Sequence, residues 1–152
     1  MDKALRIFIP GEPYRATAQE ARIAKHGSHA WRYDTPELKR VRLSLTEELD
    51  PYAPAEPMTG PLCMTVTYRY GTHSKSRLDQ WKVTKPDTDN LVKMLKDVMT
   101  ECGFWLDDAQ VCLETVGKWW TTPDAAGILI EIGHCRGAGG LEEDHGGADN
   151  GQ

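Results

Sequence analysis

KPDTDNLVKMLKDVMTECGFWLDDAQV, residues 85–111, is the stretch on which the reading of this chain turns. Leu91, Leu95, Val98 and Cys102 recur at spacings of three and four, the period of a helix with one apolar face. Asp87 suits the positive end of such a helix, and Gly103 supplies the residue after which a helix stops. The spacing therefore predicts a helix over 87–102, which delivers the chain to a β-rich run beginning at Val111.

Upstream, Leu62, Met64, Val66, Tyr68 and Tyr70 alternate strictly with polar or small residues, the pattern of a half-buried strand. A Pro-rich connector, PYAPAEP, separates it from another predicted helix. That helix has Thr35 as N-cap, Pro36 at its first position, and Leu38, Val41, Leu45 and Leu49 on one face, and it stops before Pro51. Lys39, Arg40 and Arg42 occupy its other face. Leu5 to Ile9 reads as a first strand ending at Pro10-Gly11, and Val111–Trp119 and Gly127–Ile132 read as the last two. Residues 11–34 and 71–86 show no periodicity and read as two long, basic loops, a kind usually functional or disordered. The order is β-α-β-α-β-β: one small α+β domain over residues 1–135, a mixed sheet carrying two main helices. Residues 136–152, Gly-rich and acidic, are expected to be disordered.

With 152 residues, 39% apolar and 27% charged, the chain suits one domain with a single core. No apolar run approaches the roughly 18 residues of a membrane span. The N-terminal apolar stretch is too short for a signal peptide, so a soluble cytoplasmic protein is the expectation. Cys63, Cys102, Cys112 and Cys135 have no paired spacing and are expected to be reduced, mostly buried thiols. The five histidines are dispersed. His26 and His29 stand three apart but lack a second ligand pair, which argues against zinc.

The net charge of −5 argues against a nucleic-acid partner only until its distribution is seen. The last twelve residues hold four acids and no Lys or Arg; without them 18 bases face 19 acids. Residues 1–44 carry nine Lys/Arg against five acids. The charge is segregated.

Asp87, Asp89, Asp107 and Asp108 are the chemically unusual residues. Gathered in one place they would repel one another unless a cation sat between them, and hard divalent ions take such oxygen ligands. A helix of about 14 residues runs roughly 21 Å. About five extended residues can return some 17 Å, so Asp108 is expected to meet Asp87 and Asp89. Lys93, four residues after Asp89, lies one turn further along the same face, where it can offset carboxylate charge or stabilise a phosphate. Asn90 can hydrogen-bond a ligand carboxylate. Plain alternatives exist for each: Asp87 or Asp89 as an N-cap, Asp107-Asp108 as a turn, Asp89–Lys93 as an exposed ion pair. An EF-hand is disfavoured, because the loop glycine and the twelfth-position Glu are missing.

At these residues the chain resembles the RusA family of Holliday-junction resolvases of bacteria and their prophages. The family's Asp, spacer, Asp-Asn, apolar pair and Lys stand here as Asp87-Thr88-Asp89-Asn90-Leu91-Val92-Lys93. Asp97 follows in the helix, and then the Asp107-Asp108-x-Gln110-Val111 signature. More weakly, IPGEP at 9–13 and Tyr33-x-Thr35-Pro36 resemble the family's first strand, loop and helix. The resemblance implies a small homodimeric endonuclease that cuts branched DNA, four-way junctions above all, using Mg²⁺, with Mn²⁺ as a substitute. Asp87, Asp89 and Asp108 would be its metal ligands and Lys93 a catalytic cation near the scissile phosphate, with Asn90 and Asp107 in support. A nuclease for flaps or other branched DNA, and a non-catalytic junction-binding module with a structural metal, are the competing readings.

On the substrate side, Arg15, Arg22, Lys25, Arg77 and Lys85 are candidates for phosphate contacts, the alternative being solvated loop residues. Trp81 and Trp31 suit either stacking on unpaired bases or covering the core or a dimer surface. Trp119 and Trp120 alternate on a strand, so one is expected to pack inward and the other to face an interface.

Overall fold

The computed structural model describes residues 4–17 and 21–137. Two strands, β1 (Leu5–Pro10) and β4 (Leu62–Gly71), and two later ones, β5 (Val111–Thr121) and β6 (Gly127–His134), form one sheet in the order β1-β6-β4-β5. β6 runs antiparallel to both β1 and β4, whereas β4 and β5 are parallel, which makes the sheet mixed as expected. Helices α1 (Pro36–Leu49) and α2 (Thr88–Glu101) carry the remaining core.

The alternation in β4 does what its period dictates. Leu62, Met64, Val66, Tyr68 and Tyr70 are buried, and they meet Ile128, Ile130 and Ile132 of β6 and Ile7 and Ile9 of β1 in one core. The apolar stripes close over that face: Leu38, Leu45 and Leu49 from α1, and Leu91, Leu95 and Val98 among others from α2. Both predicted helix ends hold. The Thr35 hydroxyl accepts the Leu38 N–H at 3.3 Å, and Gly103, at φ +85°, stops α2.

A parallel β4–α2–β5 crossover has a geometric consequence. The helix must run opposite to both strands, so its start lies at their C-terminal ends and its end at their beginnings.

Two expectations are corrected. Residues 11–34 are not one long loop: β2 (Arg22–His26) and β3 (His29–Tyr33) pair as an antiparallel hairpin, with Gly27 at φ +60° in its turn. Nearly every residue of this ribbon is exposed, so no core face marked it in the sequence. Cys63 and Cys135 are not reduced thiols; they form a disulfide across 5.2 Å of Cα separation. Antiparallel β4 and β6 set Cys63 opposite Gly133, and the Cys135 N–H then bonds Pro61 O, which brings the two cysteines together. Of the other two, Cys102 is half-buried but Cys112 is exposed. The tail from residue 138 onward lies outside the described residues. No helix among them is long and apolar enough to cross a membrane.

Candidate active site

The N-cap and first two turns of α2 carry the Asp87, Asp89 and Lys93 set. Asp87 occupies the N-cap position in an extended conformation, φ −75° and ψ 147°, yet its carboxylate caps no helix amide. It faces outward, and Lys85 donates to its Oδ2 at 2.6 Å. That hydrogen bond, with the charges of Lys85 and Lys118, holds the Asp87 carboxyl below the usual range. Asp89 and Lys93 are exposed, and no ion pair links them to each other. The plain reading of a surface Asp89–Lys93 pair therefore fails. Asn90 is half-buried beside them.

Beneath this turn the chain is tied down by aromatics. Tyr14 OH donates to Leu91 O at 2.6 Å and shares a 2.8 Å hydrogen bond with Tyr68 OH, while Tyr70 OH donates to Tyr14 O at 3.0 Å. Burial pushes all three phenols well above their ordinary range, so they remain neutral donors that fix the 11–17 loop against α2.

Asp107 and Asp108 are placed differently. After Gly103 the chain stays at the far end of α2, where Phe104 and Trp105 are buried and Met58 N–H bonds Phe104 O at 2.9 Å. Trp105 Nε1–H adds a 2.8 Å bond to the Thr100 hydroxyl. Asp107 caps a short 3₁₀ turn, Asp108–Gln110, by accepting the Ala109 N–H at 2.8 Å, and Gln110 completes a capping box. The Gln110 amide also donates to Met58 O and Gly60 O. Asp108 lines a hollow of about 490 Å³ with Arg42, Asp97, Thr100 and Glu101.

The expected return of Asp108 to Asp87 and Asp89 does not occur within one chain. The 14 residues of α2 span about 21 Å, and the parallel crossover returns the chain along β5 rather than along the helix. Among the described residues no group of three or more His, Cys, Asp or Glu stands ready to hold a metal ion.

Of the predicted phosphate contacts, Arg15, Arg77 and Lys85 lie at the Asp87 end. Arg15 pairs with Glu12 at 2.9 Å and lies 5.0 Å over the Tyr70 ring, and Arg77 lies 5.5 Å over the Trp120 ring. Arg22 and Lys25 are exposed on the β2–β3 hairpin, which also carries Trp31. Trp120 packs inward against Tyr70, whereas Trp119 meets the exposed Trp81 edge-on at 5.7 Å. One tryptophan inward and one outward is what the alternation in β5 requires.

Neither Lys118 nor Lys82, within the basic 71–86 loop, stands out in the sequence as a residue of this site. Lys82 is 2% exposed, and both ammonium groups bond to the loop that leads into Asp87. The signal available was a lysine inside an otherwise apolar and aromatic strand run, KWW, at residues 118–120.

A pair of outward-facing carboxylates at a helix start, with cations on the adjoining loops, is the kind of site that handles phosphate-bearing substrates. A family model described as Endodeoxyribonuclease RusA matches residues 10–133, and the chain belongs to that family. The crossover junction endodeoxyribonuclease rusA of Lactococcus phage r1t is 45% identical over 51 residues, 34% of this chain. The match spans 39% of that relative's length.

Proposed function

We propose that this chain is a Mg²⁺-dependent, structure-selective endodeoxyribonuclease that acts as a homodimer and resolves four-way DNA junctions by paired nicks. It would serve recombination and repair in the cytoplasm. One observation carries the reading: Asp87 and Asp89 stand at the start of α2 with the Asp87 carboxylate left out of helix capping, and Lys93 follows one turn on. The family membership and the phage relative's name support the substrate class.

Two carboxylates, completed by water and substrate phosphate oxygens, are a donor set that Mg²⁺ favours, and Mn²⁺ accepts the same ligands. Asp87 and Asp89 would hold the ion from one protomer. When bound, it supplies Lewis-acid polarisation of the phosphate and acidifies a coordinated water. Lys93 offsets the charge that develops on the phosphate oxygens, and the positive end of α2 adds to that field. Asn90 stands beside Asp89 as a donor to a ligand carboxylate. Arg15, Arg77 and Lys85 orient the backbone of the branched DNA.

Asp108 enters this site from a second copy. It lies at the opposite end of α2, so a two-fold dimer that sets one protomer's Asp108 against its partner's helix start makes two identical composite sites. Two sites related by a two-fold axis suit two nicks on opposed strands.

The test is cleavage of a labelled four-way junction in Mg²⁺. Asp89→Asn is expected to lose cleavage by about 100-fold or more while junction binding stays within about threefold. Undiminished cleavage by that variant would sink the site. A wild-type preference for flaps would reassign the substrate, and tight junction binding without cleavage in either Mg²⁺ or Mn²⁺ would leave a binding module.

A further inference from the structure

We infer that Lys82 and Lys118 are positioning residues: together they grip the carbonyls of Thr84, Lys85 and Pro86, and so hold the Asp87 carboxylate outward for a divalent cation. The inference rests on the reading of Asp87 as a metal ligand.

Lys82 Nζ donates to Thr84 Oγ1 at 2.6 Å, to Thr84 O at 3.2 Å and to Lys85 O. All three ammonium protons are therefore placed. Lys118 Nζ donates to Thr84 O at 2.5 Å and to Pro86 O at 2.6 Å. Three consecutive carbonyls are thus turned inward on two cations, and the next residue in the chain is Asp87.

The two lysines are themselves fixed. Lys82 N–H bonds Lys118 O at 3.0 Å, and Trp120 N–H bonds Gln80 O at 3.0 Å, so residues 80–82 run along the outer edge of β5. The Lys82 ammonium sits 5.0 Å from the centroids of both Tyr70 and Trp120. No carboxylate makes an ion pair with Lys82 or Lys118 among the described residues.

An unneutralised buried ammonium is an expensive way to close a loop. What it achieves here is directional. An Asp at the N-cap ordinarily turns its carboxylate back onto the first helix amides. Here the Asp87 carboxylate makes no capping bond and instead accepts from Lys85, whose own carbonyl is held inward by Lys82.

Three measurements on the full chain decide the matter: Mn²⁺ binding by titration calorimetry, hydrogen exchange over residues 84–90, and junction binding without divalent ions. Lys118→Met and Lys82→Met are each expected to weaken Mn²⁺ binding about tenfold and to speed exchange over 84–90. Junction affinity should stay within about twofold, and Lys118→Arg should restore most of the Mn²⁺ binding. Faster exchange with unchanged Mn²⁺ affinity would reduce the lysines to a structural role and overturn the inference, as would no change in either. If Lys118→Met loses its helical circular dichroism, Lys82→Met and Lys118→Arg decide by the same criteria. Asp89→Asn separates the two levels of the argument. If it leaves Mn²⁺ binding intact, the metal reading itself fails. If it abolishes binding while both lysine variants bind normally, only the clamp fails.

Discussion

The two ends of α2 carry acids of the same type in opposite circumstances. At the start, helix amides point outward and the partial charge is positive, so Asp87 and Asp89 sit where carboxylates are favoured and anions are drawn in. At the other end the partial charge is negative. There the acids have local work: Asp107 caps a turn, and Glu101 and Asp34 approach Arg42 at 3.9 and 3.0 Å. The difference separates acids presented for a ligand from acids absorbed into the fold, and Asp108, which caps nothing, stands between the two cases.

The largest expected effect tests where Asp108 acts. Asp89→Asn and Asp108→Asn are each expected to be inactive alone. Mixed after co-refolding, about half of the dimers are heterodimers, and each has one doubly altered and one unaltered composite site. Nicking should return to about a quarter of the wild-type level, as single nicks rather than pairs. If each site lay within one chain, no mixture would recover any cleavage. The readout is the nicked product on a denaturing gel.

Periodicity located both helices and four strands, because burial of one face leaves a regular trace, as in Leu62 to Tyr70. The acids at 87, 89, 107 and 108 stood out by type and spacing. Their separation was not legible, because it depends on β5 pairing parallel to β4, and an antiparallel pairing would have had the same alternation. The β2–β3 hairpin was lost for the opposite reason: a ribbon exposed on nearly all sides has no apolar face to betray it. Lys118 was invisible because a lysine's value here comes from two carbonyls, those of Thr84 and Pro86, that are distant in sequence from it.

The next effect is on stability and belongs to the far end alone. Gln110 accepts the Leu106 and Asp107 N–H groups at 3.1 and 3.3 Å and donates to Met58 O and Gly60 O at 3.0 and 3.2 Å. Gln110→Ala should cost about 2 kcal/mol. Tm should then fall by roughly 4–8 °C in a thermal melt. A loss of that size with metal binding by Asp87 and Asp89 preserved would confirm that the two ends do different jobs; an unchanged Tm would remove Gln110 as the pin.

Smaller effects are expected at the basic loops. Lys85→Ala and Arg77→Ala, measured without divalent ions, should each reduce the slope of log affinity against log salt by about 0.9, the signature of one lost phosphate contact. Lys25→Ala puts the same question to the hairpin. An unchanged slope for a given variant would take that side chain out of the DNA interface.

The smallest effect concerns the buried ammonium at the helix start. Burial, with the charges of Lys118, Arg15 and Arg77 adding to it and Glu12 opposing, pulls the Lys82 pKa down from 10.5 to about 8. The folded state thus releases this proton more readily than the unfolded chain. Between about pH 8 and 10.5 the unfolded state binds more protons at this position, so this lysine's contribution makes stability rise with pH across that window. Below pH 8 both states are protonated, and the desolvation penalty is carried in full. Lys82→Met has no such proton. The difference in urea midpoint between wild type and Lys82→Met should therefore move in favour of the wild type as pH rises from 8 to 10, and stay flat from 6 to 7. Asp87, whose lowered carboxyl pKa acts only in the acid range, cannot produce a change in that window. A difference flat throughout would mean that Lys82 is not the desolvated cation at the Asp87 end of α2.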